Sequence, residues 1–191
     1  ANAAANDKRL PWPARVALGD YRINSQYDDQ AGPALSGRLP DRVDDSAAAT
    51  SNGISDMLSG CDPASVADWN AAQWQRWKYW KDHFFYAVAE AFAPGAPVPS
   101  NCGSCLSVNG AGDYAAIVFF SGERLRAVGQ VRDAPPTDAD TKLHVANYLE
   151  GRNASNHPYS GGSADFETRA PDGTFNDLAW CIDSSLNVVA C

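Results

Sequence analysis

The stretch Tyr114-Ala-Ala-Ile-Val-Phe-Phe120 carries no charge, Gly or Pro. An all-apolar run of this length predicts a central strand buried on both faces. Two shorter runs precede it. Phe84-Phe-Tyr-Ala-Val-Ala89 is aromatic and apolar, which suits a buried strand. Leu106-Ser-Val108 leads into Asn109-Gly110, a strong hairpin signal. Phe84–Ala89, Leu106–Val108 and Ala115–Phe120 therefore predict a three-strand antiparallel meander. Near the C-terminus, 178–182 and 186–190 are short apolar runs around Asp183-Ser184-Ser185, and they predict a terminal hairpin.

Ahead of the meander the pattern is helical. Asp62-Pro63 suits a helix start, with Pro in the first turn. Trp69, Ala72 and Arg76 then share one helical face, while Trp74, Trp77 and Lys81 share another, with Trp80 beside Trp77. A helix from 62 to about 81 followed by a strand is predicted, and a single helix to Phe92 is the competing reading. Packing into the core is the ordinary role for such a stripe. Trp69, Trp74, Trp77 and Trp80 are also the candidates for a carbohydrate-stacking platform.

The remaining segments are turn-rich. Residues 1–60 are punctuated by Pro11, Pro13, Pro33 and Pro40 and predict irregular chain. Segments 94–101, 132–140 and 152–175 predict loops, 125–131 a short helix or extended piece, and 143–149 a short helical or coil segment ending at Gly151. Without an internal repeat or a linker, residues 1–191 form one domain, and a helical part plus an antiparallel meander makes the expected class α+β.

The charge balance narrows the function. A net charge of −8 and a pI of about 4.7 repel phosphate backbones, so no nucleic-acid partner is expected. No apolar run reaches the length of a membrane span. The chain starts Ala-Asn-Ala-Ala-Ala, without Met, and an export segment removed before it is expected. Five cysteines in an acidic, Asn/Ser/Gly-rich chain predict an exported protein with disulfides.

Cys181 and Cys191 sit at opposite ends of the terminal hairpin, and a bridge there closes a loop of about ten residues, worth on the order of 3 kcal/mol. Cys102-Gly-Ser-Cys105 has the spacing of a redox centre. Such a centre needs a helix behind it to lower the thiol pKa, whereas this motif precedes a strand. A zinc site needs a second pair of ligands that Cys61 and three scattered histidines supply poorly. A structural clamp is expected, pairing Cys61 with Cys102 or with Cys105, or Cys102 with Cys105.

Other catalytic signals are weak. Ser121-Gly122-Glu123 is expected to be exposed at a strand end, without an evident His partner, and His83, His144 and His157 lie in ordinary contexts. Carboxylate pairs for glycoside cleavage are not identifiable by spacing. Asp172-Gly-Thr-Phe-Asn176-Asp177 offers oxygen ligands around a turn, so Asp172, Asn176 and Asp177 are candidate calcium ligands, against the commoner Asx turn. No other cofactor is expected. Asn153-Ala-Ser155 is a formal glycosylation sequon.

Several phrases taken in order resemble the soluble head domains of type IV pilin-like proteins, the minor pilins and pseudopilins. They are Arg9-Leu-Pro-Trp-Pro13, the Trp-rich segment running into Phe85-Tyr-Ala-Val88, Ala115-Ala-Ile-Val-Phe-Phe-Ser-Gly122, Gln130-Val-Arg132, Asn147-Tyr-Leu-Glu-Gly-Arg-Asn153 and Phe175-Asn-Asp177. The resemblance implies an α+β head, with a meander packed on the end of an N-terminal hydrophobic helix that this sequence lacks. It also implies a disulfide-closed C-terminal loop, which Cys181 and Cys191 resemble. By the same resemblance the chain is a structural component of a pilus or secretion filament at the periplasm or cell surface. Its partners are other pilin-like subunits and the assembly machinery, it meets a membrane only through the missing helix, and it performs no catalysis. The competing readings are an exported carbohydrate-binding or adhesin module, and a secreted thiol oxidoreductase or acidic hydrolase.

Overall fold

The computed structural model describes residues 9–16, 27–40, 80–96, 102, 105–132 and 140–191. Within them seven strands form one sheet: β1 (Ser36–Arg38), β2 (Phe84–Val88), β3 (Leu106–Val108), β4 (Ala111–Phe120), β5 (Ala164–Phe166), β6 (Leu178–Asp183) and β7 (Val188–Ala190). The two short helices are α1 (Asp140–Leu143) and α2 (Gly151–Ser155).

β4 organises the sheet, as its apolar run predicts. Residues 116–120 pair antiparallel with β2 on one edge, and β6 pairs with the same residues on the other. β3 pairs with Ala111 and Tyr114 of β4, and Tyr114 is also opposite Asp183 of β6, so β3 continues the edge that β2 occupies. The expected meander is therefore corrected: β2 and β3 do not pair with each other but lie end to end along one side of a long central strand. β1 extends β2, β7 extends β6, and β5 joins β3 as the one parallel pairing. The β3–β4 turn places both Asn109 (φ 54°) and Gly110 (φ 74°) in the left-handed region, the geometry for which Asn-Gly is favoured in two-residue hairpins.

Cross-strand partners point to the same face, so the register divides the sheet into two surfaces. Phe85, Ala87, Ile117, Phe119 and Cys181 are fully buried on one face. There they meet Tyr148 and His157 from the segment around α2, and Phe166 of β5, whose ring lies 5.0 Å from that of Phe119. Arg38 shares this face, with its guanidinium carbon 4.1 Å over Phe85 and 4.3 Å over Tyr148. The opposite face carries Phe84, Phe120 and Leu178 in one row, and Tyr86, Val118 and Trp180 in the next. At the β1 edge Gly37 is required, because any Cβ there would collide with the Ala14 carbonyl oxygen.

The α+β expectation, a pilin-like head with a helical part, is overturned. The described residues are mostly antiparallel sheet, and their longest helix, α2, has 5 residues. Most of the expected Trp helix, with Trp69, Trp74 and Trp77, lies outside the described residues, and Lys81 at its end belongs to a 3-10 turn, Lys81–His83. Two segments expected as loops carry structure: β1 lies within 1–60, and 152–175 holds most of α2 and all of β5. The reason is polar side chains buried by pairing. Ser36 and Arg38 of β1 and Asn153 of α2 are hidden in the interior, which a hydrophobic pattern does not reveal. Gly151 starts α2 rather than ending the preceding segment.

Candidate functional site

Four of the sequence phrases singled out above converge on one buried polar junction. Glu150 and Asn153 come from the α2 region, Asn176 and Asp177 from the approach to β6, Gln130 and Arg132 from the loop after β4, and Gly122 from the end of β4. The Glu150 backbone N–H donates to Asp177 Oδ2 at 2.9 Å, and Asn153 Nδ2 donates to the same oxygen at 3.0 Å. Glu150 Oε2 accepts from the Asn176 backbone N–H at 2.9 Å, and Oε1 accepts from Gln130 Nε2 at 2.5 Å. Asn153 also grips Glu167 through both its backbone groups. Arg132 donates to Gly122 O, Tyr148 O, Asn147 O and Gln130 Oε1. Burial, and then the Glu150 charge, push the Asp177 carboxyl up to about 8.

This arrangement separates the three calcium candidates. Asp172 is exposed, pairs with Arg169 and caps its own turn through Thr174, which is the Asx-type role. Asn176 donates to the Glu123 carbonyl at 2.7 Å, and Asp177 faces Glu150. Among the described residues no group of three His, Cys, Asp or Glu side chains gathers as metal ligands.

A second buried polar group joins Tyr27, Lys81, Asp82 and Lys142. Asp82 accepts from the Tyr27 hydroxyl and pairs with Lys142 at 2.5 Å, while the Lys81 ammonium lies 4.1 Å over the Tyr27 ring. Burial, followed by the Asp82 charge, raises the Tyr27 phenol far above its ordinary value.

Ser121 is fully buried, contrary to the expectation of an exposed serine, and it does have a histidine: His83 Nδ1 lies 3.1 Å from Ser121 Oγ. A buried hydroxyl at the end of a packed strand presents no nucleophile to a substrate, so the pair ties β4 to the turn before β2. Burial and the charges of Arg132 and Arg38 lower His83 to about 4. His157 is likewise lowered to about 4 by burial, with Nδ1 2.7 Å from the Asn153 carbonyl and its ring between Phe85, Phe119 and Phe166. Neither histidine has an ordinary context.

Among the described residues two cystines are present, Cys102–Cys105 and Cys181–Cys191, each with Cα atoms 5.2 Å apart. The first resolves the three-way choice left open by spacing, and Cys61 lies outside the described residues. Cys181 is fully buried at the centre of β6, so the second cystine fixes the end of β7 against the sheet.

The other feature able to meet a partner, among the described residues, is the β6–β7 side of the second face, since its β2 side is covered: Tyr86, Val88 and Ala116 are buried there. Trp80, Leu178, Trp180 and Val188 expose 50, 45, 43 and 71% of their surface. The Trp80 ring packs 5.7 Å from Phe120, and Phe120 is the cross-strand neighbour of Phe84 and Leu178. The rows continue to Val188 through Ile182. The exposed tryptophan on β6, Trp180, was hidden from sequence reasoning because its strand has apolar residues on both faces. Two open clefts, of about 640 Å³ beside Trp12 and Glu90 and about 530 Å³ beside Ser36 and His157, lie elsewhere on the molecule.

No family model, curated protein or solved structure matches the chain.

Proposed function

We propose that the chain is an assembly and display subunit of an exported filament, of the type IV pilus or related secretion class, and that it docks neighbouring subunits on the exposed apolar β6–β7 side of its sheet. The reading draws on the sequence resemblance and no longer on the expected α+β head. The observation that carries it is the set of exposed apolar side chains Leu178, Trp180 and Val188 in successive rows of β6 and β7, with Trp80 packed on Phe120 at one end. Exposed apolar patches rimmed by polar residues mark interaction surfaces, and rigid strands present such a patch without an ordering cost at binding. Two cystines support export into an oxidising compartment. On this reading the chain binds and does not catalyse.

The test is the double substitution Leu178→Ser with Trp180→Ser in the full-length protein in its native host. The substituted protein is expected to fold, keep both cystines and accumulate normally, while its fraction in sheared surface filaments falls at least tenfold. Wild-type incorporation would refute the reading.

A second reading is favoured by the exposure of Trp80 and Trp180: ligand display, with indole faces stacking on sugar rings. Glycan titration followed by tryptophan fluorescence separates the two, since only the second expects saturable quenching.

A further inference from the structure

The junction between Glu150 and Asp177 lies one residue before the apolar face, because Asp177 directly precedes Leu178, the first residue of β6. Both carboxyl groups are buried, and they lie within hydrogen-bond reach of one another. Three of the four carboxyl oxygens receive protein donors: Oε1 and Oε2 of Glu150 from Gln130 and Asn176, and Oδ2 of Asp177 from Glu150 N–H and Asn153. The fourth, Asp177 Oδ1, is buried with no hydrogen-bond partner. Two buried carboxylates in contact cannot both ionise without strong repulsion, so one proton held between them is the state that fits this geometry.

We propose that Glu150 and Asp177 share one proton as a latch that holds the start of β6, and that loss of this proton releases the segment bearing Leu178 and Trp180. The inference rests on the docking reading only for its consequence, since the latch itself concerns this chain alone. In the latched state Asp177 carries the proton on one oxygen and directs it toward Glu150. Hydroxide removes the proton as water and leaves two facing carboxylates.

The charged and titratable groups around the pair do not remove this conflict. Arg132 lies near both carboxyls, but its donors go to Gly122, Asn147, Tyr148 and Gln130 oxygens. Tyr148 lies under the Arg132 guanidinium. Glu167 and Arg152, beyond Asn153, pair with each other. Glu123 contributes its carbonyl to Asn176. The upward shift of Asp177, caused first by burial and then by the Glu150 charge, accords with this state. Phe175 and Asn176 sit between the latch and the preceding turn, so repulsion at Asp177 acts directly on the entry to β6.

The experiment is amide hydrogen exchange across residues 175–182 from pH 6 to 9.5, corrected for the intrinsic pH dependence of exchange, together with the 13C shift of the Asp177 carboxyl. Wild-type protein is expected to show a protonated Asp177 carboxyl at pH 7. Protection of 175–182 should drop at least tenfold as that carboxyl ionises, while the β2–β4 core stays protected. Asp177→Asn, which keeps the hydrogen-bonding shape without the titration, is expected to hold protection constant. Protection of the wild type that is unchanged to pH 9.5, or an ionised Asp177 at pH 7, would overturn the latch, and neither readout depends on a variant folding. Failure of the docking reading is separate. If Trp180→Ser leaves filament incorporation intact while protection is still lost, docking falls and the latch stands.

Discussion

Asp177 Oδ2 accepts the backbone N–H of Glu150 at 2.9 Å, and this contact joins the start of α2 to the start of β6 across 27 residues of sequence. Around it the chain buries carboxyl, amide and guanidinium groups with their partners. Satisfied except at Asp177 Oδ1 and Asn176 Oδ1, a polar network of this kind favours one arrangement of the surrounding segments, because each further loss leaves another buried group unsatisfied.

The titration of three buried groups sets the pH dependence of folding. Asp177 is raised to about 8 from 3.8, so the folded state holds a proton that the unfolded chain releases above about pH 4. Its contribution is full at low pH and is lost as pH rises toward 8. His83 and His157 are lowered to about 4 from 6.5, so the unfolded chain takes up protons that the folded state refuses, and stability falls as pH drops from 6.5 to 4. Urea unfolding across pH 4 to 9 is therefore expected to show a maximum near neutral pH. Asp177→Asn should flatten the decline between pH 6.5 and 8, and His157→Asn should weaken the decline below pH 6.5. A decline above pH 6.5 that survives Asp177→Asn would contradict the assignment.

Asn153 is the residue whose truncation should cost most at the junction. Its amide makes three bonds, to Glu167 N, Glu167 O and Asp177 Oδ2. Asn153→Ala removes the partner of both Glu167 backbone groups and one of the two donors to Asp177 Oδ2 and is expected to destabilise by about 3 kcal/mol, whereas Ser155→Ala, at an exposed position, should change stability by less than about 0.5 kcal/mol. Chemical denaturation compares them. Because the same amide is fully buried, the folded sequon is not expected to accept a glycan, which intact mass shows directly.

The sequence holds 5 cysteines and two cystines use 4 of them. One thiol per chain should be alkylated after unfolding without reductant, and peptide mapping should place it at Cys61. Opening Cys181–Cys191, which closes a 10-residue separation, is expected to cost about 3 kcal/mol. Opening Cys102–Cys105, which spans 3, should cost less, since the shorter loop restrains the unfolded chain less. Paired Cys-to-Ser variants compared by thermal melting test the order.

How much of this was written in the sequence follows from what each pattern encodes. The apolar run of β4, the Asn109-Gly110 turn and the terminal hairpin were legible, because burial of contiguous apolar residues and a left-handed turn have direct residue signatures. The pairing of β2 and β3 end to end on one edge of β4 was not, since register depends on contacts distant in sequence. α2 was missed because its one buried position is Asn153, a polar residue that sits inside only because partners elsewhere satisfy it, and β5 because three residues with two buried, Ala164 and Phe166, are too short a run to stand out. The phrases around Glu150 and Asp177 were noticed separately, and nothing in their spacing shows that they meet. The Cys102–Cys105 cystine was one of three pairings that spacing allowed.

The docking face gives the most direct measurement. A photocrosslinking residue placed at Trp180 in the full-length protein, with Arg169 on an exposed turn as the control position, samples the neighbours of each surface in assembled filaments. Crosslinks from position 180 to a second filament subunit, with none from position 169, are expected. Equal crosslinking from both positions, or none from position 180 in filaments that contain the protein, would contradict docking through the apolar face.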